Sequence, residues 1–251
     1  MKRHLSIYHV ATVLLVGAAL AGVAQSYTDP FDGPDLADMW TFRTPDGNDN
    51  FAFEKGWFVF DIEASQDLYI KGVDLAPMLL MDPPADDASF RIETLVDVVL
   101  DQGQQQPASH AGLLFFNEAE WVYSLWGPYA NTDVRLEDVI GGAYRWRNDT
   151  GVGVNTPIDS DLWLRIVKTG ETLEFFWKTN EKDDWESAGT DSTRGAYYKK
   201  GAYKIGLFLK NWGGSVPTRT AFDYFHSPEI AGLSVDPLGK AATMWGALKR
   251  R

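Results

Sequence analysis

Acidic side chains are the first residues whose type and spacing could do chemistry. Asp61 and Glu63 lie two positions apart in a strand-like stretch, as do Glu118 and Glu120 if that segment is extended. On an extended strand such a pair shares one face, about 6.6 Å apart. Two carboxyl groups at that order of separation can flank a glycosidic bond as acid and base. Any solvent-facing strand of an acidic protein shows the same spacing, so the pattern permits hydrolysis without requiring it. Hard cations are the other partner open to carboxylates, and they need several oxygen ligands. Asp46, Asn48 and Asn50 alternate like the opening of a calcium loop, but Phe51 follows where such a loop needs its turn glycine, which favours a plain turn. Asp32 or Asp29 near the start and Asp223 near the end form a second candidate set, which only the fold could bring together.

Aromatic side chains are the second resource. Ten Trp and ten Tyr exceed what a core of this size needs. Trp121, Tyr123, Trp126, Tyr129, Tyr144, Trp146 and Trp212 gather near expected loop ends, and Arg145 and Arg147 flank Trp146. A flat apolar ring with polar neighbours suits the face of a sugar. Core packing or loop anchoring explains any single ring equally well. The candidate ligand-binding set is Trp121, Tyr123, Trp126, Tyr144, Trp146 and Trp212.

Several chemistries lack their residues. There is no Gly-x-Ser-x-Gly elbow for a hydrolytic serine, and the adjacent Ser109 and His110 would point to opposite faces of a strand. Only His110 and His226 lie beyond the N-terminal segment, too few for a His-rich zinc site. Neither a phosphate-cradling glycine loop nor a dinucleotide fingerprint occurs. The chain has no cysteine, which removes disulfides and lipid attachment through a thiol.

The elements that would position these groups are strands. Phe90, Ile92 and Val96, continuing to Val98 and Leu100, take one face of a period-two pattern, while Arg91, Glu93 and Asp97 take the other. Leu162, Leu164 and Ile166 repeat the pattern, and Thr169-Gly170 turns the chain into Leu173, Phe175 and Trp177, which predicts a hairpin. Further strands are expected over Trp57–Glu63, Gly112–Asn117, Trp121–Trp126, Val134–Ile140, Lys204–Lys210 and Thr220–Phe225. Pro45-Asp46-Gly47, Pro83-Pro84, Gly141-Gly142, Asn148-Asp149-Thr150-Gly151 and Trp212-Gly213-Gly214 supply the turns between them. No helical stripe appears between residues 27 and 230. The expectation is an all-β, two-sheet antiparallel jelly-roll sandwich.

Residues 1–26 have the layout of a secretory signal: Lys2-Arg3, an apolar run from Val10 to Gly22, then small residues, with cleavage after Ala24 or Ser26 fitting equally. An uncleaved anchor is the alternative, although Ser6, Tyr8 and His9 interrupt it. The expected organisation is a signal over 1–26, one sandwich over 27–230 and a tail over 231–251. Asp236 and Pro237 could open a short helix in that tail. Signal removal would leave no membrane span, and the expected location is secreted or periplasmic. The net charge of −12 repels phosphate backbones and anionic lipid, so no nucleic-acid partner is expected.

Phe-Asp-Gly-x-x-Leu-x-x-x-Trp (Phe31 to Trp40), Ala-Gly-Leu-Leu (Ala111 to Leu114) and Ile-Gly-Leu-Phe followed by Ala-Phe-Asp-Tyr-Phe (Ala221 to Phe225) resemble concanavalin A-like lectin/glucanase domains. Within that superfamily the chain resembles the laminin-G-like group related to the C-terminal domains of family 43 glycosidases, over about residues 29–227. The resemblance implies two stacked curved sheets, one concave face and association with polysaccharides. It also implies a structural calcium ion near joined termini, with Asp223 and Asp32 as ligands. The Glu-x-Asp-x-x-Glu strand of laminarinase-like sandwiches is absent; Arg135-Leu136-Glu137-Asp138-Val139 lacks its spacing and third carboxylate. His110 stands where relatives commonly show Gln. The leading expectation is a secreted, non-catalytic, glycan-binding sandwich. The alternatives are a glycoside-active enzyme using Asp61, Glu63, Glu93 or Asp97, and an envelope or adhesion scaffold that makes contact through its tail.

Overall fold

The computed structural model describes residues 27–47, 50–97, 109–129, 133–155, 161–212 and 217–230. The expected signal, the tail, the glycine pair after Trp212, and Val98 and Leu100 lie outside the described residues. Strands run β1 (Tyr27–Asp29), β2 (Thr41–Arg43), β3 (Asn50–Glu54), β4 (Trp57–Ile62), β5 (Met78–Met81), β6 (Ser89–Asp97), β7 (Ser109–Asn117) and β8 (Val122–Tyr129). They continue as β9 (Asp133–Ile140), β10 (Ala143–Arg145), β11 (Gly153–Val154), β12 (Leu162–Thr169), β13 (Thr172–Lys178), β14 (Glu186–Asp191), β15 (Lys204–Asn211) and β16 (Thr218–Ser227). One helical turn, Arg147–Thr150, and one 3-10 turn, Gly195–Tyr197, complete the described elements.

Two antiparallel sheets of eight strands result. The first runs β14-β13-β12-β6-β16-β4-β3 with β1 also on β16, and the second runs β10-β9-β8-β7-β15-β5-β2 with β11 also on β9. The predicted hairpin forms in register, Thr169 opposite Thr172, with Gly170 at φ 57° in its turn. The first and last described strands meet as expected, because Tyr27 pairs with Ser227 and Asp29 with Phe225. The opening motif completes this closure. Phe31 and Trp40 pack into the core, Trp40 lies edge-on to Phe225 at 5.0 Å, and its Nε1 donates to Asp29.

Alternation along the strands creates two apolar layers. Leu113 and Phe115 of β7, Trp126 of β8, Leu136 of β9 and Leu207 and Leu209 of β15 face the first sheet and join the main core. Their neighbours Leu114, Phe116, Tyr123, Leu125, Val139 and Phe208 face outward, yet they are buried too. Leu68 and Ala76, both fully buried, cover them from a hairpin closed by the Leu68–Asp74 bridge. The second sheet is therefore covered on both faces over much of its area, which explains why β7, β8 and β9 are buried almost throughout.

Candidate ligand-binding site

Where that covering hairpin stops, the outer face of the second sheet opens into a cavity of about 440 Å³. Asp67, Tyr69, Tyr129, Arg135, Glu137, Tyr144, Trp146, Lys210 and Trp212 line it. Strand alternation sets the floor: Arg135 and Glu137 project outward from β9 because Val134 and Leu136 point into the core, and Lys210 does the same on β15 beside Leu209. Tyr144 comes from β10, Tyr129 from the end of β8, and Asp67 and Tyr69 from the hairpin.

The floor is a compensated set of charges. Glu137 is fully buried, and its Oε2 lies 2.8 Å from Lys210 Nζ and 3.3 Å from His110 Nδ1, while Oε1 is 3.8 Å from Arg135. Burial alone would raise this carboxyl, but the Lys210 ammonium, and after it His110, outweigh burial and hold it well below the usual carboxylate range. Lys210 also donates to the Leu68 carbonyl at 3.0 Å and lies 3.5 Å from Asp67 Oδ1. Burial raises the Asp67 carboxyl, with Lys210 opposing. Asp133 grips Arg135 through both its Nε and one terminal nitrogen. Behind Glu137, His110 is fully enclosed with its Nδ1 turned to the Glu137 carboxylate; burial lowers its basicity, partly offset by Glu137.

Rings form the walls. The Arg135 guanidinium sits 3.4 Å above the Tyr129 ring and 5.2 Å from Trp146. Lys210 lies 4.6 Å from the Trp212 ring, Tyr129 packs on Trp212 at 5.1 Å, and Tyr69 packs on Tyr144 at 4.6 Å. The Tyr144 hydroxyl is pushed up by burial and by the neighbouring Glu137 carboxylate, so it is a neutral hydrogen-bonding group at any ordinary pH.

Of the six aromatic residues named from the sequence, Tyr144, Trp146 and Trp212 line the cavity. Trp126 lies between the sheets, against Phe175, with its Nε1 donating to the Phe176 carbonyl. Tyr123 is fully buried under the hairpin, where its hydroxyl donates to the Leu68 and Tyr69 carbonyls, and Trp121 packs on Phe116 in the same layer. The carboxylates named for the enzyme alternative, Asp61, Glu63, Glu93 and Asp97, do not line the cavity. Asp61 and Glu93 belong to the first sheet, Asp61 near Arg219 and Glu93 between Arg91 and Arg165. Tyr129, named among the loop-end rings but not in the ligand-binding set, also lines the cavity, and sequence reasoning missed Asp67, Tyr69, Arg135, Glu137 and Lys210 as site residues. Alternation in β9 and β15 did place charges on one face, but the cover over that face was not visible.

Asp32 and Asp223 stand near the joined termini: Asp32 follows β1 by three residues, and Asp223 lies in the irregularity of β16 between Phe222 and Phe225, just before the segment that pairs with β1. Asp29 is already engaged, accepting from Tyr27, the Phe31 amide and Trp40. Among the described residues no group of three or more His, Cys, Asp or Glu is placed to hold a metal ion. Nor is any described helix long and apolar enough to cross a membrane.

No family model matches the chain, and no curated protein matches it. Solved structures do resemble it. The GH43 BlXynB protein from Bacillus licheniformis superposes with a TM-score of 0.62 at 15% identity, over 82% of this chain and 39% of that one. The Bacteroides ovatus xyloglucan PUL GH43B protein gives 0.60 at 15% identity, over 81% and 39%. A functionally unknown protein from Saccharomyces cerevisiae gives 0.56 at 13% identity, over 78% of this chain and 98% of that one. The chain thus spans about two fifths of the length of the GH43 proteins it resembles. At these identities the likeness is one of fold: this chain is a β-sandwich related in architecture to part of the GH43 glycosidases.

Proposed function

We propose that this protein is a secreted, non-catalytic carbohydrate-binding domain whose ligand is a neutral glycan held in the cavity above Glu137 and Lys210. The observation that carries the reading is a concave site with five rings around a floor whose charges cancel: Arg135 and Lys210 against Glu137 and Asp67. Rings suit the apolar faces of sugars, and hydroxyl and charged groups at the walls suit their oxygens. A balanced floor gives no reason for a charged ligand. The architectural likeness to GH43 proteins, among them a xylan β-1,4-xylosidase from Bacillus halodurans, supports a carbohydrate setting.

The two carboxylates of the cavity favour binding without hydrolysis. Glycoside cleavage needs both to reach the scissile bond from opposite sides. Here Glu137 is fully buried, and one lysine ammonium stands between its Oε2 and Asp67. Lys210 already contacts both carboxylates, at 2.8 Å from Glu137 Oε2 and 3.5 Å from Asp67 Oδ1, so neither faces the cavity as a lone acid or base.

A glycan array including xylan, xyloglucan and β-glucans, followed by calorimetry and a reducing-sugar assay, tests the reading. Binding without sugar release is the expected result. Silence across neutral glycans overturns it, and release of reducing ends overturns its non-catalytic part. Calcium is a separate proposal: Asp32 and Asp223, completed by backbone carbonyls and water, would hold the ion at the joined ends. A melting temperature that rises with calcium, and no longer does so in Asp223→Asn, is its test. Secretion is tested by N-terminal sequencing of the exported protein, expected to start after Ala24 or Ser26.

A further inference from the structure

Large apolar side chains exposed among the described residues gather in one place. Tyr69, Ile70, Val73 and Leu75 are each 38–40% exposed and all belong to the covering hairpin, and the fifth, Trp146, is 37% exposed. Tyr69 and Trp146 also line the cavity. A cluster of this kind marks a contact surface.

The hairpin is built to hold that surface rigidly. At its base the Gln66 amide donates to Asn211 Oδ1 at 2.7 Å, and the Asn211 amide donates back to the Gln66 carbonyl at 2.9 Å. Lys210 and Tyr123 anchor the Leu68 carbonyl, and Leu68 and Ala76 are fully buried. At its tip the Val73 amide donates to the Ile70 carbonyl at 2.8 Å, closing a tight turn that needs Gly72 at φ 95°. Ile70 and Val73 flank that turn. Arg43 pairs with Asp74 at 2.8 Å, which cancels charge on the returning arm.

We propose that the outer side of hairpin 67–76 continues the cavity, so that the ligand is a glycan chain several sugars long. This rests on the carbohydrate-binding reading above. Charge and continuity favour this occupant. Anionic lipid is disfavoured by the −12 net charge, with Lys71 the lone cation at the tip. Four large apolar side chains, each 38–40% exposed, are few beside the roughly 20–30 residues that each partner brings to a stable protein interface. A sugar chain leaving the cavity past Tyr69 would meet Ile70 and Val73 with its apolar C–H faces.

The test is calorimetry on the full-length protein with glucose, cellobiose and cellohexaose and with xylose, xylobiose and xylohexaose, comparing wild type, Ile70→Ser/Val73→Ser and Trp212→Ala. Both hairpin positions are exposed, so folding is checked simply by an unchanged melting temperature. The expected result is affinity that climbs from disaccharide to hexasaccharide, a roughly tenfold loss for the hexasaccharide in the hairpin variant, no loss for the disaccharide, and loss of both in Trp212→Ala. If Trp212→Ala loses binding while the hairpin variant matches wild type for the hexasaccharide, the extended surface is overturned and the cavity reading stands. If no sugar binds the wild type, both fall. A change of oligomeric state in the hairpin variant, by light scattering, with all sugar affinities unchanged, assigns the surface to a second copy and overturns the proposal.

Discussion

Lys210 Nζ lies 2.8 Å from Glu137 Oε2, and both side chains are almost wholly withdrawn from solvent. The pair joins β15 to β9 across the outer face of the second sheet, and the same ammonium reaches the hairpin through the Leu68 carbonyl. One cation therefore ties the floor of the site to its wall.

Removing that cation strands a buried carboxylate. Lys210→Met is expected to destabilise the fold by about 3–5 kcal/mol, and the double change Lys210→Met/Glu137→Leu to recover most of the loss, because an apolar pair has no charge to desolvate. Urea unfolding of the two variants measures both numbers.

Acid should weaken the protein in two stages. His110 is held below its ordinary value of about 6.5. As pH falls through that value the unfolded chain takes up a proton the folded chain refuses, so stability declines. His226, lowered chiefly by burial, adds a slope of the same sign. Glu137, held low, contributes stability that is complete above the ordinary carboxylate range and is lost as pH falls through its folded value, while Asp67, raised, opposes it there. His110→Phe should flatten the stability profile between about pH 7 and pH 5, as read by urea midpoints across that range.

Trp146 and Trp126 separate binding from folding. Trp146 is partly exposed at the cavity, whereas Trp126 is fully buried between the sheets. Trp146→Ala should lower glycan affinity by about tenfold or more with little change in melting temperature. Trp126→Ala should cost about 3–5 kcal/mol of stability. Calorimetry and thermal melts on both variants check the division.

Backbone crowding makes Gly127 irreplaceable. A Cβ there would stand 1.8 Å from the Ala111 carbonyl oxygen, and a main-chain atom between paired strands has nowhere to move. Gly127→Ala should cost about 3 kcal/mol or more. Gly141→Ala, with open space around it and φ 58°, should lose only about 1–2 kcal/mol. Thermal melts distinguish the two.

Much of the sandwich was legible because burial on one face writes itself as period two. The faces of Phe90–Val96 and the turn at Gly170 came directly from alternation and turn chemistry. Short strands without alternation were not legible. Met78–Met81 is apolar throughout because it is buried on both faces, and Thr41–Arg43 is too short to show a period. Three of the six named aromatic residues line the cavity and three do not, since a tryptophan in a core and one in a groove are the same letter. Trp126 turns inward only because its position in β8 matches the inward parity of Val122.

By itself the sequence determined the class of fold and the charge balance that disfavours nucleic acid, because these depend on local periodicity and composition. Tertiary structure alone decided the site. Asp67, Glu137 and Lys210 are separated by 70 residues or more from one another, and only the folding of hairpin 67–76 over β9 and β15 brings one ammonium between two carboxylates and turns a strand face that reads as solvent-exposed into the floor of a cavity.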